Sequence, residues 1–294
     1  MVMRAMRVMA MVAACSTVLG AQDGRSFRDE GVRLLNANEA GKAEKQFEKA
    51  IAAEPLVGEY HLWLGRAVGQ QTLEANKLRQ PFLARRVKSE FERAVELDPT
   101  LLDARDGLIQ FYLQAPGFMG GSVEKAREQQ REIAKRDPVR GHLAAASIHW
   151  HDKDTVATER AFRAAALAAP DSVVVATQLS QRQQAWGRTA AAFATLDEFL
   201  ARHPTDIAAR YQVGRLAAIS GQHLPRGEKL LRELAAAPAW NAVSFRPSKA
   251  LVQYRLGMVL DKQGKKPEAR AAYESAIALD PDLKLAKDAL AALK

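Results

Sequence analysis

The chain has 294 residues, which suits one large domain or two small ones. Apolar residues make up 48% and charged residues 26%, which excludes a disordered chain, and 18 Gly with 12 Pro excludes a collagen-like or linker-dominated one. A single Cys excludes an internal disulfide framework and a Cys-rich zinc site, 6% aromatic content with abundant Ala favours packed helices over a sheet sandwich, and a formal net charge of +9 leaves an anionic partner open.

The first element reads as an address. Residues 1–21 run from two basic positions, Arg4 and Arg7, through an apolar stretch from Val8 to about Leu19, to the small pair Gly20-Ala21. That order is the one of a secretory signal peptide. The stretch is too short to span a bilayer, which takes about 20 apolar residues, so no transmembrane span is expected in the mature chain. Cleavage after Gly20 or Ala21 removes Arg4, Arg7 and Cys15, taking the charge from +9 to +7 and leaving no thiol, as suits the oxidising periplasm. A second reading is open. Val12-Ala-Ala-Cys15-Ser16 fits the box at which bacterial lipoproteins are cut and acylated, with Cys15 as the first mature residue and a membrane anchor. The apolar run ahead of Cys15 is then short, and Val18 and Leu19 continue past it.

After this segment one phrase recurs. It closes at Ala50-Ile-Ala-Ala-Glu-Pro55, Ala94-Val-Glu-Leu-Asp-Pro99, Ile133-Ala-Lys-Arg-Asp-Pro138 and Ala276-Ile-Ala-Leu-Asp-Pro281, with weaker versions ending at Pro170, Pro204 and Pro238. The successive Pro spacings are 44, 39, 32, 34, 34 and 43, a unit of 34 with three insertions and one short deletion. The first unit supplies Phe27, Gly31, Leu34, Ala43, Phe47, Ala50 and Pro55; the last supplies Leu256, Gly257, Leu260, Ala269, Tyr273, Ala276 and Pro281. The second has Leu64-Gly65, Phe91, Ala94 and Pro99, the third Leu108, Tyr112, Ala126 and Pro138, and the fourth Phe162, Ala165 and Pro170. The fifth keeps Leu179, Leu196 and Pro204, and the sixth Val213-Gly214, Leu230 and Pro238.

This period and phrase resemble the tetratricopeptide repeat family. The resemblance implies an all-α, right-handed superhelical solenoid of about seven helix-turn-helix repeats over residues 24–281. Small residues such as Gly31, Gly65, Gly257, Ala43 and Ala269 let helix backbones approach, and Pro, which cannot continue a helix, starts the next repeat. Residues 282–294 carry Leu283, Ala286, Leu290 and Leu293 at helical spacing and are expected to form a C-terminal capping helix. No strand candidate is longer than Val173-Val174-Val175, which sits inside a repeat.

Three departures from the ideal unit stand out. Residues 69–87 lengthen repeat two and bring Lys77, Arg79, Arg85, Arg86 and Lys88 beside Leu73, Leu78, Phe82, Leu83 and Val87. A lengthened helix pair with solvated basic faces is expected there, the alternative being a basic contact surface at Arg85, Arg86 and Lys88. Gln114–Ser122, between the helices of repeat three, is expected to be a structural turn with Ser122 as N-cap and with Phe118 and Met119 packed over the repeat edge. It lacks the Lys of a phosphate loop. Residues 239–248 carry Trp240 and Phe245, expected to fold back onto the core rather than form an exposed patch.

Catalytic signatures are absent from the sequence. His149-Trp150-His151 points its two rings apart on a helix, His142 lies two turns from His149, and neither H-E-x-x-H, G-x-S-x-G nor G-x-G-x-x-G occurs. No catalytic residue, cofactor or metal site is expected, and the chain is read as a non-enzymatic protein. In repeat stacks of this family the first helix of each pair usually lines the concave side, which implies a groove bearing Arg66, Asp103, Asp106, Gln110, Gln181, Tyr211, Arg215 and Tyr254. Such a surface suits a protein partner or extended peptide. The Lys and Asn set of the family's clamp for chaperone C-termini is not found. The expected function is that of an exported scaffold for protein–protein interaction; the alternative is an envelope module that binds anionic polymer or lipid through the basic insert of repeat two. A nucleic acid partner is not expected.

Overall fold

The computed structural model describes residues 23–238, 240 and 246–293. The expected signal peptide with Cys15, and also Phe245 and Lys294, lie outside the described residues. The described residues form fifteen α-helices and no β-strand. In chain order they are α1 (Gly24–Asn36) and α2 (Ala40–Ala53), α3 (Gly58–Glu74) and α4 (Gln80–Leu97), α5 (Leu102–Gln114) and α6 (Val123–Ala134), and α7 (Pro138–His151) and α8 (Thr155–Ala168). Then come α9 (Val173–Ala185) and α10 (Thr189–Arg202), α11 (Ile207–Ser220) and α12 (Leu224–Ala236), α13 (Lys249–Lys262) and α14 (Lys266–Leu279), and finally α15 (Lys284–Ala292). They make two compact units, one ending at Gly121 and one starting at Ser122. The division falls inside the third expected repeat, so α5 belongs to the first unit and α6 to the second.

Proline sets the start of most pairs. Pro55, Pro99, Pro170, Pro204 and Pro281 each stand three residues ahead of the next helix, whereas Pro138 is itself the first residue of α7. There its missing N–H costs nothing, and Asp137 caps the helix by accepting from the Arg140 amide at 2.9 Å. Between the helices of the α1–α2, α7–α8, α9–α10 and α13–α14 pairs the chain reverses over three residues. The middle one is left-handed at Asn38 (φ 61°), Lys153 (61°), Gly187 (73°) and Gly264 (77°). The amide of the residue that follows reaches back to close the helix end, as in Glu39 to the Leu34 carbonyl at 2.9 Å and Lys265 to Leu260 at 2.9 Å.

Within a pair, the large ring of the second helix sits against a glycine of the first. A Cβ on Gly31 would lie 2.5 Å from the Phe47 ring, one on Gly65 2.8 Å from Phe91, and one on Gly257 2.5 Å from Tyr273; at Gly214 the neighbour is Leu231, at 2.5 Å. Phe91 is held from both sides, since Gly107 in α5 approaches its other edge. The lengthened pair expected in repeat two is present: α3 and α4, with 17 and 18 residues, are the longest helices. At the other end of the chain α15 covers the last pair, with Ala286 and Leu293 buried and Leu283 and Leu290 packed on the same core. Trp240 also packs on that core, its indole N–H donating to the Pro247 carbonyl at 2.8 Å, as expected for the segment before repeat seven.

Candidate functional site

In the second unit the first helices of repeats five to seven, α9, α11 and α13, bring together Gln181, Tyr211, Arg215 and Tyr254. Tyr211 and Tyr254 are 6% and 8% exposed and belong to the packed core, so their rings form the base of this surface rather than its projecting groups. Gln181 is exposed. Arg215 is half-buried and donates to Gln184 Oε1 at 3.1 Å. Burial, with the nearby Arg255 charge adding to it, pulls Arg215 below the ordinary guanidinium value, while Tyr211 opposes the shift. Arg255 lies 4.9 Å from the Tyr254 ring, and its Nε is buried with no hydrogen-bond partner. Among the described residues neither guanidinium has a carboxylate partner. Two like charges are therefore near enough to repel, with Arg255 over the Tyr254 ring.

On the corresponding helices of the first unit the half-buried Arg28 and Arg66 are both paired. Arg28 of α1 bonds Glu59 of α3 at 2.9 Å, and the Trp63 indole donates to the same carboxylate at 3.1 Å. Arg66 of α3 pairs with Asp103 of α5 and stacks 4.7 Å over the Trp63 ring. Asp106 is half-buried on α5, and Gln110 is exposed and accepts from Gln114 at 3.2 Å. The acidic positions of repeat three thus do not stand as an open acidic cluster, because Asp103 is spent on Arg66.

The basic insert is also partly neutralised. Arg86 lies between Glu44 and Glu48 of α2, and Lys88 faces Glu92 at 3.4 Å one turn along α4. Arg85 is exposed. What the insert does build is a cleft of about 650 Å³, in which the end of α3 and the start of α4 face the end of α5 and the turn that follows it. In that turn Ser122 caps α6, accepting from the Lys125 amide at 3.3 Å. Gly120 is left-handed (φ 97°), and a Cβ on Gly121 would strike the Ala115 carbonyl. Met119 lines the cleft, but Phe118 is 87% exposed: the expectation that it packs over the repeat edge is overturned, since the short 3-10 turn at Gly117–Met119 aims it at solvent.

Two family models, both described as tetratricopeptide repeat, match residues 28–74, which run from α1 to the end of α3, and 250–283, which take in most of α13 and all of α14. The chain is a tetratricopeptide repeat protein. Among solved structures, this tetratricopeptide repeat protein is similar to one from Parabacteroides merdae ATCC 43184, with a TM-score of 0.51 at 13% identity over 92% of this chain and 98% of that one. It is also similar to yeast Tom70, with a TM-score of 0.63 at 13% identity over 97% of this chain and 59% of that one. A third likeness is to a monomeric mutant of IFIT1 with Gppp-AAAA, with a TM-score of 0.51 at 16% identity over 92% of this chain and 62% of that one. At these identities the likeness is one of fold. No curated protein sequence matches the chain.

Tetratricopeptide repeat proteins are generally non-enzymatic scaffolds that bind proteins or peptides. Among the described residues of this one, no helix is long and apolar enough to cross a membrane, and no three His, Cys, Asp or Glu side chains gather as a metal set. Sequence reasoning named Arg215 and Tyr254 but missed Arg255 and Gln184. Arg255 follows a core tyrosine directly, and only the packing of α13 on α11 shows it beside Arg215.

Proposed function

We propose that this tetratricopeptide repeat protein is a scaffold that captures acidic, extended peptide segments on the first-helix surface of its second unit. The observation that carries this reading is the Arg215–Arg255 pair, half-buried with no carboxylate among the described residues. An incoming Asp, Glu or C-terminal carboxylate relieves their mutual repulsion and gains charge-assisted hydrogen bonds worth about 1.5–3 kcal/mol each. Gln181 and Gln184 supply amide groups for a peptide backbone, and Tyr211 and Tyr254 supply a rigid base. The first unit offers no comparable demand for an anion on its first helices, because Arg28 and Arg66 are already paired.

The reading includes export. Residues 1–21 carry the order of a signal peptide, and the mass of the mature N-terminus separates cleavage near Gln22 from acylation at Cys15. The binding reading is tested by fluorescence anisotropy with a labelled Glu-rich peptide and its Gln-rich counterpart. The wild-type chain is expected to prefer the acidic peptide at least tenfold, and Arg215→Ala with Arg255→Ala to abolish the preference. Equal affinity for both peptides, or a preference that survives the double substitution, refutes it.

A further inference from the structure

We propose that the cleft of the first unit is a binding site for a monoanionic amphiphile, an acyl chain ending in a carboxylate. This inference concerns a different unit and a different chemistry from the peptide surface and stands without it.

Three observations carry it. The first is size and character. The cleft measures about 650 Å³ and is mainly apolar, with buried Phe91 and Phe111 and the side chains of Val87, Leu73 and Met119 contributing to its surface. A volume of about 300–1,000 Å³ with an apolar lining and a few placed polar groups is that of a small-molecule site. The second is charge. No Asp or Glu lines the cleft, and Lys77 is its one charged group. Among the described residues Lys77 and its neighbours Arg79 and Arg85 have no carboxylate partner, although Arg86 and Lys88 of the same insert do. The remaining polar lining consists of Thr72, Gln80, Gln110 and Gln114, all neutral. Thr72 and Gln80 already donate to the carbonyls of Val68 and Ala75, at 2.8 and 3.0 Å, and Gln114 donates to Gln110. The lining therefore presents one cation without a carboxylate partner among otherwise neutral groups, which suits a single anionic head.

The third observation is the rim. Phe118, Leu73 and Leu78, at 87%, 84% and 83%, are the most exposed large apolar side chains of the described chain, and Phe82 is 73% exposed. Leu73 lines the cleft, and each of the others lies next in sequence to a lining residue. Covering such side chains is favourable because it removes apolar surface from water. An acyl chain in the cleft covers Leu73, the one of these that lines it, with its head at Lys77. The lengthening of α3 and α4 and the turn after α5 are the two insertions that build the cleft.

The test is titration of the full chain with cis-parinaric acid, read by its fluorescence, followed by displacement with palmitate and with hexadecanol. Saturable binding is expected, with palmitate displacing the probe at least tenfold better than the neutral alcohol. Lys77→Gln is expected to weaken the probe about tenfold and Ala84→Trp, which fills the cleft, to abolish binding. Leu73→Glu changes an exposed side chain at the edge of the cleft and keeps the test sharp if Ala84→Trp misfolds; it is expected to weaken binding by repelling the carboxylate. The proposal is overturned by absence of saturable binding, by hexadecanol competing as well as palmitate, or by full affinity in Ala84→Trp and Leu73→Glu. It is equally overturned if the probe does not bind while phosphatidylglycerol vesicles do, lost with Leu78→Glu and Phe82→Glu, since the rim then serves a membrane surface.

Discussion

Replacing Gly31 by Ala tests the packing logic of the repeat at one atom. A Cβ on Gly31 lies 2.5 Å from Phe47 Cε1 and 2.8 Å from Cδ1 and Cζ. The ring has no room to retreat: Phe47 is 0% exposed and stacks on Trp63 with centroids 6.2 Å apart. Overpacking a tight core costs about 1–3 kcal/mol, and the move from Gly to Ala in a helix returns about 1 kcal/mol. Because the approach is closer than real Cβ contacts and meets a locked ring, the upper part of the cost applies, and a net loss of about 1–2 kcal/mol is expected. Gly41, in α2 of the same pair, is the control, with nothing within 4 Å of its Cβ position. Gly41→Ala keeps only the propensity gain, up to about 1 kcal/mol. Repeat arrays need not unfold in one step, so the readout is amide hydrogen exchange across α1 and α2, supported by urea unfolding followed by circular dichroism. Gly31→Ala should speed exchange roughly tenfold, the equivalent of about 1.4 kcal/mol, while Gly41→Ala leaves it unchanged or slower. Equal protection in the two variants would refute the close-approach reasoning.

Arg215→Met is expected to raise the stability of the second unit in a urea titration, because it removes a desolvated charge beside Arg255, while lowering acidic-peptide affinity at least tenfold; a variant that loses both stability and binding would show Arg215 to be structural. Lys249 donates to the carbonyls of Leu234 and Ala235 at 2.7 and 2.9 Å and to that of Ala237, closing the end of α12, and sits 4.3 Å from the Trp240 ring. Lys249→Met leaves these acceptors unpaired and should cost about 1–3 kcal/mol, with a change in Trp240 fluorescence; an unaltered melt and spectrum would count against it. Acid should weaken the second unit through Glu159 and Glu228. Burial pushes both carboxyls up, but hydrogen bonds and charges from Gln183, Arg163 and Arg188 at Glu159, and from Lys265 and Arg232 at Glu228, outweigh it and hold both below the ordinary 4.5. Since the folded values lie below the unfolded one, this stabilisation is complete above pH 4.5 and lost as the pH falls through the folded values. Unfolding midpoints measured across that range should fall less steeply in Glu159→Gln with Glu228→Gln, and an unchanged slope would exclude these two groups as the cause.

The helices themselves were readable from particular residues. Pro at a fixed place after Glu or Asp stops one helix and sets up the next, and a Gly on the first helix facing Phe or Tyr on the second needs only a short sequence separation to be recognised. The reversals were not marked so clearly. Gly187 and Gly264 announce a left-handed turn, but Asn38 and Lys153 adopt the same conformation, and only the returning amide bonds of Glu39 and Asp154 show why. The charged surface was least legible. Arg85, Arg86 and Lys88 look alike along the chain, yet Glu44, Glu48 and Glu92 neutralise the last two.

By itself, then, the sequence determined that this chain packs as repeated helix pairs, because periodic apolar, small and Pro positions act over one or two turns and carry their meaning locally. Tertiary structure alone decided which cations keep their charge for a partner, which insertion residues close a cleft and which, such as Phe118, project from it. It also decided that Arg215 and Arg255 stand near enough to repel. Those outcomes depend on side chains brought together from separate helices, and a one-dimensional pattern holds no distance between them.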